Sequence, residues 1–266
     1  MRKLILGCLL FSASNFSSAL SLDSQRDIFT NTLDLQAQKE WQKANQNIGD
    51  ITDYPLAYLA EYNYLNANMA EVSDADILNF IKTHKGKSVS DDLQRSYLFY
   101  LAKQKNWKQF LTAYPKMPNH RTLKCNYLQA SIAMGKSQQA WPDAQKFWLS
   151  STSLPNACDD VYVFYQDQQQ LTQEDVWQRF QLAYAKNKQG LMRFLIARMD
   201  QDKAAVASQL YELHKKPKEL LNSELFSSRA AKSYSFLVPS IKRLARKDLL
   251  KQCKLMSNII KKYYLL

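Results

Sequence analysis

Residues 73–101 read SDADILNFIKTHKGKSVSDDLQRSYLFYL, and this stretch decides the fold. Ser73-Asp74-Ala75-Asp76 sets a capping hydroxyl ahead of an acidic first turn, which satisfies the orphan N–H groups of a helix start. Ile77, Phe80 and Ile81 follow at helical spacing, and Gly86 closes the segment. Ser90-Asp91-Asp92 then opens a second helix through Leu93, Tyr97, Tyr100 and Leu101. The unit is a cap, an apolar stripe, a glycine joint and another cap, which predicts two helices joined by a short turn.

The same pattern extends in both directions. Toward the N-terminus, Leu56, Leu59, Tyr62 and Leu65 recur at every third position, with Pro55 placed in the first turn of that helix. Toward the C-terminus, Asn106 and Trp107 start a short helix through Phe110 and Leu111. Leu123, Tyr127, Ala130 and Met134 form a stripe ending at Gly135, and Ser137 caps the next helix through Trp141, Phe147 and Trp148. Thr172-Gln173-Glu174-Asp175 fits a capping box, and Gly190 ends the helix it opens. Further helices are predicted over 190–199, 202–214 and 218–233. Val161-Tyr162-Val163-Phe164 has β-branched character but nothing to pair with, and reads as helix. Helix pairs renewed about every 30–40 residues predict an all-α protein, an α-solenoid of stacked helical hairpins.

Composition agrees. Of 266 residues 46% are hydrophobic, enough for a large core, while five Gly and seven Pro are too few for a β-sandwich or a Gly-rich phosphate-binding fold. The formal charge of +12 is uneven. Residues 1–185 carry 18 basic and 18 acidic side chains, and residues 186–266 carry 18 basic against 6 acidic. Such asymmetry can signal an anionic partner such as nucleic acid, a membrane surface or an acidic polymer, but solvated lysines on outward helix faces are the plainer reading, and no nucleic-acid partner is expected. Trp41, Trp107, Trp141, Trp148 and Trp177 fall on apolar stripes and are expected to pack in the core rather than stack on sugars.

Met1-Arg2-Lys3, the apolar run Leu4–Phe11 and Ser17-Ser18-Ala19 make a signal peptide cut before Leu20. The run is too short to span a bilayer, so no transmembrane segment is expected after cleavage. A lipoprotein signal at Cys8 is disfavoured, because only seven residues precede that cysteine. The organisation expected is signal peptide over 1–19, helical-repeat domain over 20–239 and a basic amphipathic helix over 240–266. In that last segment Ile241, Ala245, Leu249, Cys253, Met256 and Ile260 form one stripe opposite Lys and Arg, and the chain closes on Tyr263-Tyr264-Leu265-Leu266. It reads as the truncated end of the solenoid, or as a helix lying on an anionic membrane.

Export to an oxidising periplasm gives meaning to Cys125, Cys158 and Cys253. A Cys125–Cys158 bridge would close a loop worth about 3–4 kcal/mol, and three buried thiols are the alternative. His84, His120 and His214 are scattered, with no metal-ligand spacing, and no nucleophile elbow, P-loop or dinucleotide fingerprint is present. Neither metal nor cofactor is expected.

Several motifs in order resemble the large soluble lytic murein transglycosylases of Gram-negative bacteria. They are Ser21-Leu22-Asp23 with Gln25 and Arg26; Asp53-Tyr54-Pro55-Leu56 with Tyr58-Leu59 and Glu61-Tyr62; and Cys125-Asn126-Tyr127. Gly135-Lys136-Ser137, Ala140-Trp141, Trp148-Leu149 and Leu154-Pro155-Asn156-Ala157-Cys158-Asp159 continue the series. The likeness is close over about 21–160 and thinner beyond. It implies an N-terminal U-shaped superhelical domain, a Cys125–Cys158 disulfide with Cys253 unpaired, and peptidoglycan glycan strands as partner. In that family the full enzyme cleaves the MurNAc–GlcNAc bond and leaves a 1,6-anhydro sugar.

That chemistry needs a carboxylic acid held protonated in an apolar pocket. The family's acid is a Glu followed by Ser, and none of Glu40, Glu61, Glu71, Glu174, Glu212, Glu219 and Glu224 has that neighbour. Gly190-Leu191-Met192-Arg193, with Glu174 upstream, imitates one family segment by chance. No catalytic residue is expected, no substrate-binding residue is singled out, and the chain alone is expected to be inactive. A non-enzymatic periplasmic scaffold for cell-wall proteins is the alternative.

Overall fold

The computed structural model describes residues 20–216, 219, 236 and 238–243. The expected signal peptide, Cys253 and nearly all of the 218–233 and 240–266 helices therefore lie outside the described residues. Among the described residues every regular element is helical. In order these are α1 (Leu22–Ala37), α2 (Trp41–Asp50), α3 (Ala57–Ala67), α4 (Asp74–Thr83), α5 (Ser88–Lys103) and α6 (Trp107–Ala113). There follow α7 (Arg121–Ala133), α8 (Ser137–Trp148), a 3-10 turn (Asn156–Cys158), α9 (Asp159–Asp167), α10 (Gln173–Ala185), α11 (Gln189–Ile196) and α12 (Gln201–Lys215).

The chain forms two compact units, one up to Tyr100 and one from Leu101. Within each, helices pack on the next in sequence and on one or two beyond. In the first, α1 packs on α2 and α3, and α3 on α4; in the second, α7 packs on α8 and α9, and α10 on α8, α11 and α12. Neighbour-only packing of this kind is the signature of a solenoid of stacked hairpins. The first unit has a small core of Phe29, Ile48, Ile51, Ala57 and Ala60. The second has a larger one in which Trp148, Tyr165, Trp177, Phe180 and Tyr184 pack with aliphatic residues of α11 and α12.

Five of the connections between helices share one form of joint. Lys39, Lys105, Gly135, Gln169 and Asn187 all take the left-handed conformation, with φ between 54° and 70°. At each, the following N–H reaches back five residues to a carbonyl: Glu40 to Leu35, Asn106 to Leu101, Lys136 to Ser131, Gln170 to Tyr165 and Lys188 to Ala183. The left-handed residue's own N–H reaches back three, so each joint is a Schellman turn. In four cases the next helix starts two residues later, at Trp41, Trp107, Ser137 and Gln189. The fifth residue past the left-handed one is then always buried: Ala44, Phe110, Ala140 and Met192. The seventh before it is buried too, as Thr32, Leu98, Leu128, Tyr162 and Phe180. These recurring positions are the structural repeat.

Only one of the five joints is glycine, whereas the sequence pattern placed the joints at glycines. Gly86 and Gly135 do have positive φ, but Gly49 sits in the last turn of α2 and Gly190 is the second residue of α11. At Lys105 a Cβ occupies a backbone conformation that disfavours it by about 1–2 kcal/mol. Lys105→Gly is therefore expected to stabilise the protein by about 1 kcal/mol after the added freedom of the unfolded chain is counted, and to raise Tm by about 2–4 °C. Chemical and thermal unfolding of the variant check this; lower stability would mean that the joint is not strained.

Other differences have equally plain causes. Steps of three residues turn a helix by 300°, so a run of three such steps carries Leu56 to the side opposite Leu65. Leu65 is buried with Ala57 and Ala60, Leu56 is 41% exposed, and Pro55 lies in a turn before α3 rather than in its first turn. Ser137 is the first residue of α8 and accepts no capping bond. Ser90 is inside α5, its hydroxyl donating to Ile81 O at 2.9 Å. The caps at Ser73, Asn106 and the Thr172–Asp175 box form as predicted, and Val161–Phe164 is helical.

Candidate binding cavity

The second unit holds a cavity of about 330 Å³. Its floor is built around the ten-residue segment 149–158 between α8 and α9. Such a segment must find partners for its carbonyls, and side chains of α7 and α10 supply them. Arg121 Nη2 donates to Ser153 O at 2.7 Å, Gln129 Nε2 to Ala157 O at 2.9 Å, and Arg179 donates through Nε to Ser150 O and through Nη2 to Thr152 O. Cys125 of α7 and Cys158 are joined by a disulfide, their Cα atoms 4.8 Å apart, which fastens the end of the segment to α7.

The walls come from α8 through Trp148, α9 through Asp159, Tyr162, Val163 and Gln166, and α11 through Gly190, Leu191 and Phe194. Trp148 and Tyr162 are locked from behind. Trp148 Nε1 donates to Asp175 O at 3.0 Å, and Tyr162 Oη to Ala144 O at 3.0 Å. Asp175 is itself buried, and its carboxylate accepts from Gln145 Nε2, Thr172 N and Thr172 Oγ1. The capping box read from sequence thus supports one wall.

Arg179 is the unusual member. It is 2% exposed, lines the cavity, and stands 4.2 Å from the Trp148 ring, yet it pairs with no carboxylate among the described residues. Burial, reinforced by Arg121 and Arg198, lowers its pKa to about 10, so it stays cationic at neutral pH. Burial also raises the Tyr162 phenol, which stays neutral. Arg198 adds a second guanidinium at the exposed rim, over the Phe194 ring. The cavity's one acidic side chain, Asp159, is exposed.

The Cys125–Cys158 pair is joined. Gly190 and Leu191 reach the cavity wall, Met192 is fully buried beneath, and Glu174 stays on the exposed first turn of α10. Of the tryptophans, Trp148 and Trp177 are buried, and Trp41, Trp107 and Trp141 are half-buried. Arg179 belongs to no sequence motif, although its register signals it: Val176, Arg179, Phe180 and Ala183 fall at i, i+3, i+4 and i+7, which puts a cation on the core face. In the first unit, burial and Asp76 raise the Glu61 carboxyl, which lies 3.8 Å from His84 Nε2. No helix among the described residues is long and apolar enough to cross a membrane.

No family model matches the chain. It is 26% identical over 220 residues to the soluble lytic murein transglycosylase of Escherichia coli K12, covering 83% of this chain and 34% of that protein. The protein of the same name from Salmonella typhimurium is 24% identical over 214 residues, 80% of this chain and 33% of that one. Among solved structures, the complex of the 70-kDa soluble lytic transglycosylase with bulgecin A superposes with a TM-score of 0.80 at 23% identity, over 91% of this chain and 39% of that one. An inactive mutant of the Pseudomonas aeruginosa lytic transglycosylase gives a TM-score of 0.73 at 24% identity, over 88% and 38%. At such identities the structural likeness speaks for the fold. The chain spans about a third of the length of the soluble lytic murein transglycosylases to which it is similar in sequence and in helical architecture.

Proposed function

We propose that the chain is the helical-repeat part of a periplasmic peptidoglycan lytic transglycosylase, a solenoid that engages glycan strands and carries no cleaving acid of its own. The sequence likeness carries this reading, because it runs through 83% of the chain and coincides with the fold likeness. The organisation that accompanies it is a removed leader over 1–19, the solenoid over 20–239 and a basic helix over 240–266. A protonated acid needs an apolar, water-shielded site. The carboxylate that lines the cavity, Asp159, is exposed.

Purified sacculi test the binding half of the proposal. The mature chain should sediment with sacculi at low salt and stay bound at physiological salt, and it should not sediment with cellulose. Loss of all retention at low salt contradicts wall binding, and equal retention on cellulose contradicts recognition of peptidoglycan.

A further inference from the structure

We propose that the cavity beside the disulfide is a binding site for the free carboxylate of a short peptide, held by Arg179. The charge state of Arg179 is the starting point. A buried cation without an anion is costly, and proteins normally give it a carboxylate partner. Here two of the five guanidinium N–H groups go to the Ser150 and Thr152 carbonyls and the plane packs on Trp148, so the side chain is held rigidly with donors to spare. It lines an open volume rather than a closed core. A planar fork fixed this way is suited to a bidentate carboxylate.

The surroundings select the rest of the ligand. Arg198 at the rim and the first turn of α11, whose opening amides have no intrahelical acceptor, both favour negative charge. Asp159 opposes it at the exposed mouth, which disfavours a multiply charged phosphate and suits a ligand with an N–H or ammonium some distance from its carboxylate. Tyr162, Leu191 and Phe194 offer apolar wall for small side chains, and about 330 Å³ accommodates roughly two residues. Where a Cβ would project from Gly190 there is nothing within 4 Å, so the wall at α11 is open.

This inference deepens the reading above and rests on it only for the ligand's source, the peptide stems of peptidoglycan. The probe is N-acetyl-alanyl-alanine with a free carboxyl, compared with its C-terminal amide by NMR titration of the mature chain. The acid should bind at least about tenfold more tightly than the amide, the usual worth of a charge-assisted hydrogen bond. Arg179→Lys should weaken the acid about tenfold. Gly190→Leu, which fills open space and leaves the core untouched, should abolish binding with the helical spectrum unchanged. Binding of neither probe, equal binding of both, competition by inorganic phosphate at the same concentration, or unaltered binding by Gly190→Leu would each overturn the site. A chain retained by sacculi that ignores the dipeptide sinks this inference alone. A chain that takes the dipeptide but is not retained sinks the wall reading and leaves the site standing.

Discussion

Truncating Phe180 to alanine should cost about 3–5 kcal/mol, one of the largest losses a single side chain can cause in this protein. Phe180 is fully buried in α10, the helix that packs on α8, α11 and α12. Its ring lies 5.8 Å from Trp177, 5.7 Å from Phe236 and 6.2 Å from Tyr184. Alanine would leave a void walled by rigid aromatics that cannot collapse into it, so a cavity cost adds to the lost transfer energy. Leu182, two residues on, is 39% exposed, and Leu182→Ala should change stability by less than about 0.5–1 kcal/mol. Urea unfolding of the two variants gives the comparison. Similar losses in both would mean that α10 does not organise the core as described.

Removing the Cys125–Cys158 disulfide should cost nearly as much, about 3–4 kcal/mol for a loop of 33 positions in the chain-entropy account. Both cysteines are buried, so replacement by alanine leaves no charged or strongly polar group behind. The effect should also have a place. Segment 149–158 carries no α-helix and depends on the bridge together with Arg121, Gln129 and Arg179. The double alanine variant should lose stability in urea, and limited proteolysis should open it first within 149–157. A loss under 1 kcal/mol with an unchanged digestion pattern would show that the side-chain bonds alone hold the segment.

Helix content and three helix starts were legible because caps are chemical. Ser73, Asn106 and Thr172 bond the N–H of the third residue on, and no tertiary information is needed to expect it. Helix ends were less legible because the Schellman turn is defined by backbone bonds, and Lys39, Lys105, Gln169 and Asn187 accept its left-handed residue despite their Cβ atoms. Searching for glycine finds one such joint in five. Apolar residues five past and seven before the joint mark Lys105 and Asn187, whereas the polar Thr32 before Lys39 and the exposed Glu174 after Gln169 break the register. The Leu56 stripe failed through geometry, since a strict three-residue step drifts around the helix.

The binding cavity was hidden for a different reason. Its parts come from residues 148–198, and none forms a local motif. The disulfide came from family resemblance, since spacing alone left free thiols equally open. Arg179 shows what a sequence can still disclose. A guanidinium at a core register of an amphipathic helix calls for an explanation, and the cavity beside Trp148 supplies one.

Incubating the purified mature chain with sacculi and scanning the soluble products for 1,6-anhydro muropeptides tests most directly the claim that this solenoid binds the wall without cutting it. None is expected above the buffer control, although the protein should sediment with the sacculi. Anhydro products that rise with protein concentration would contradict it, and their loss in Glu61→Gln would locate the acid on α3.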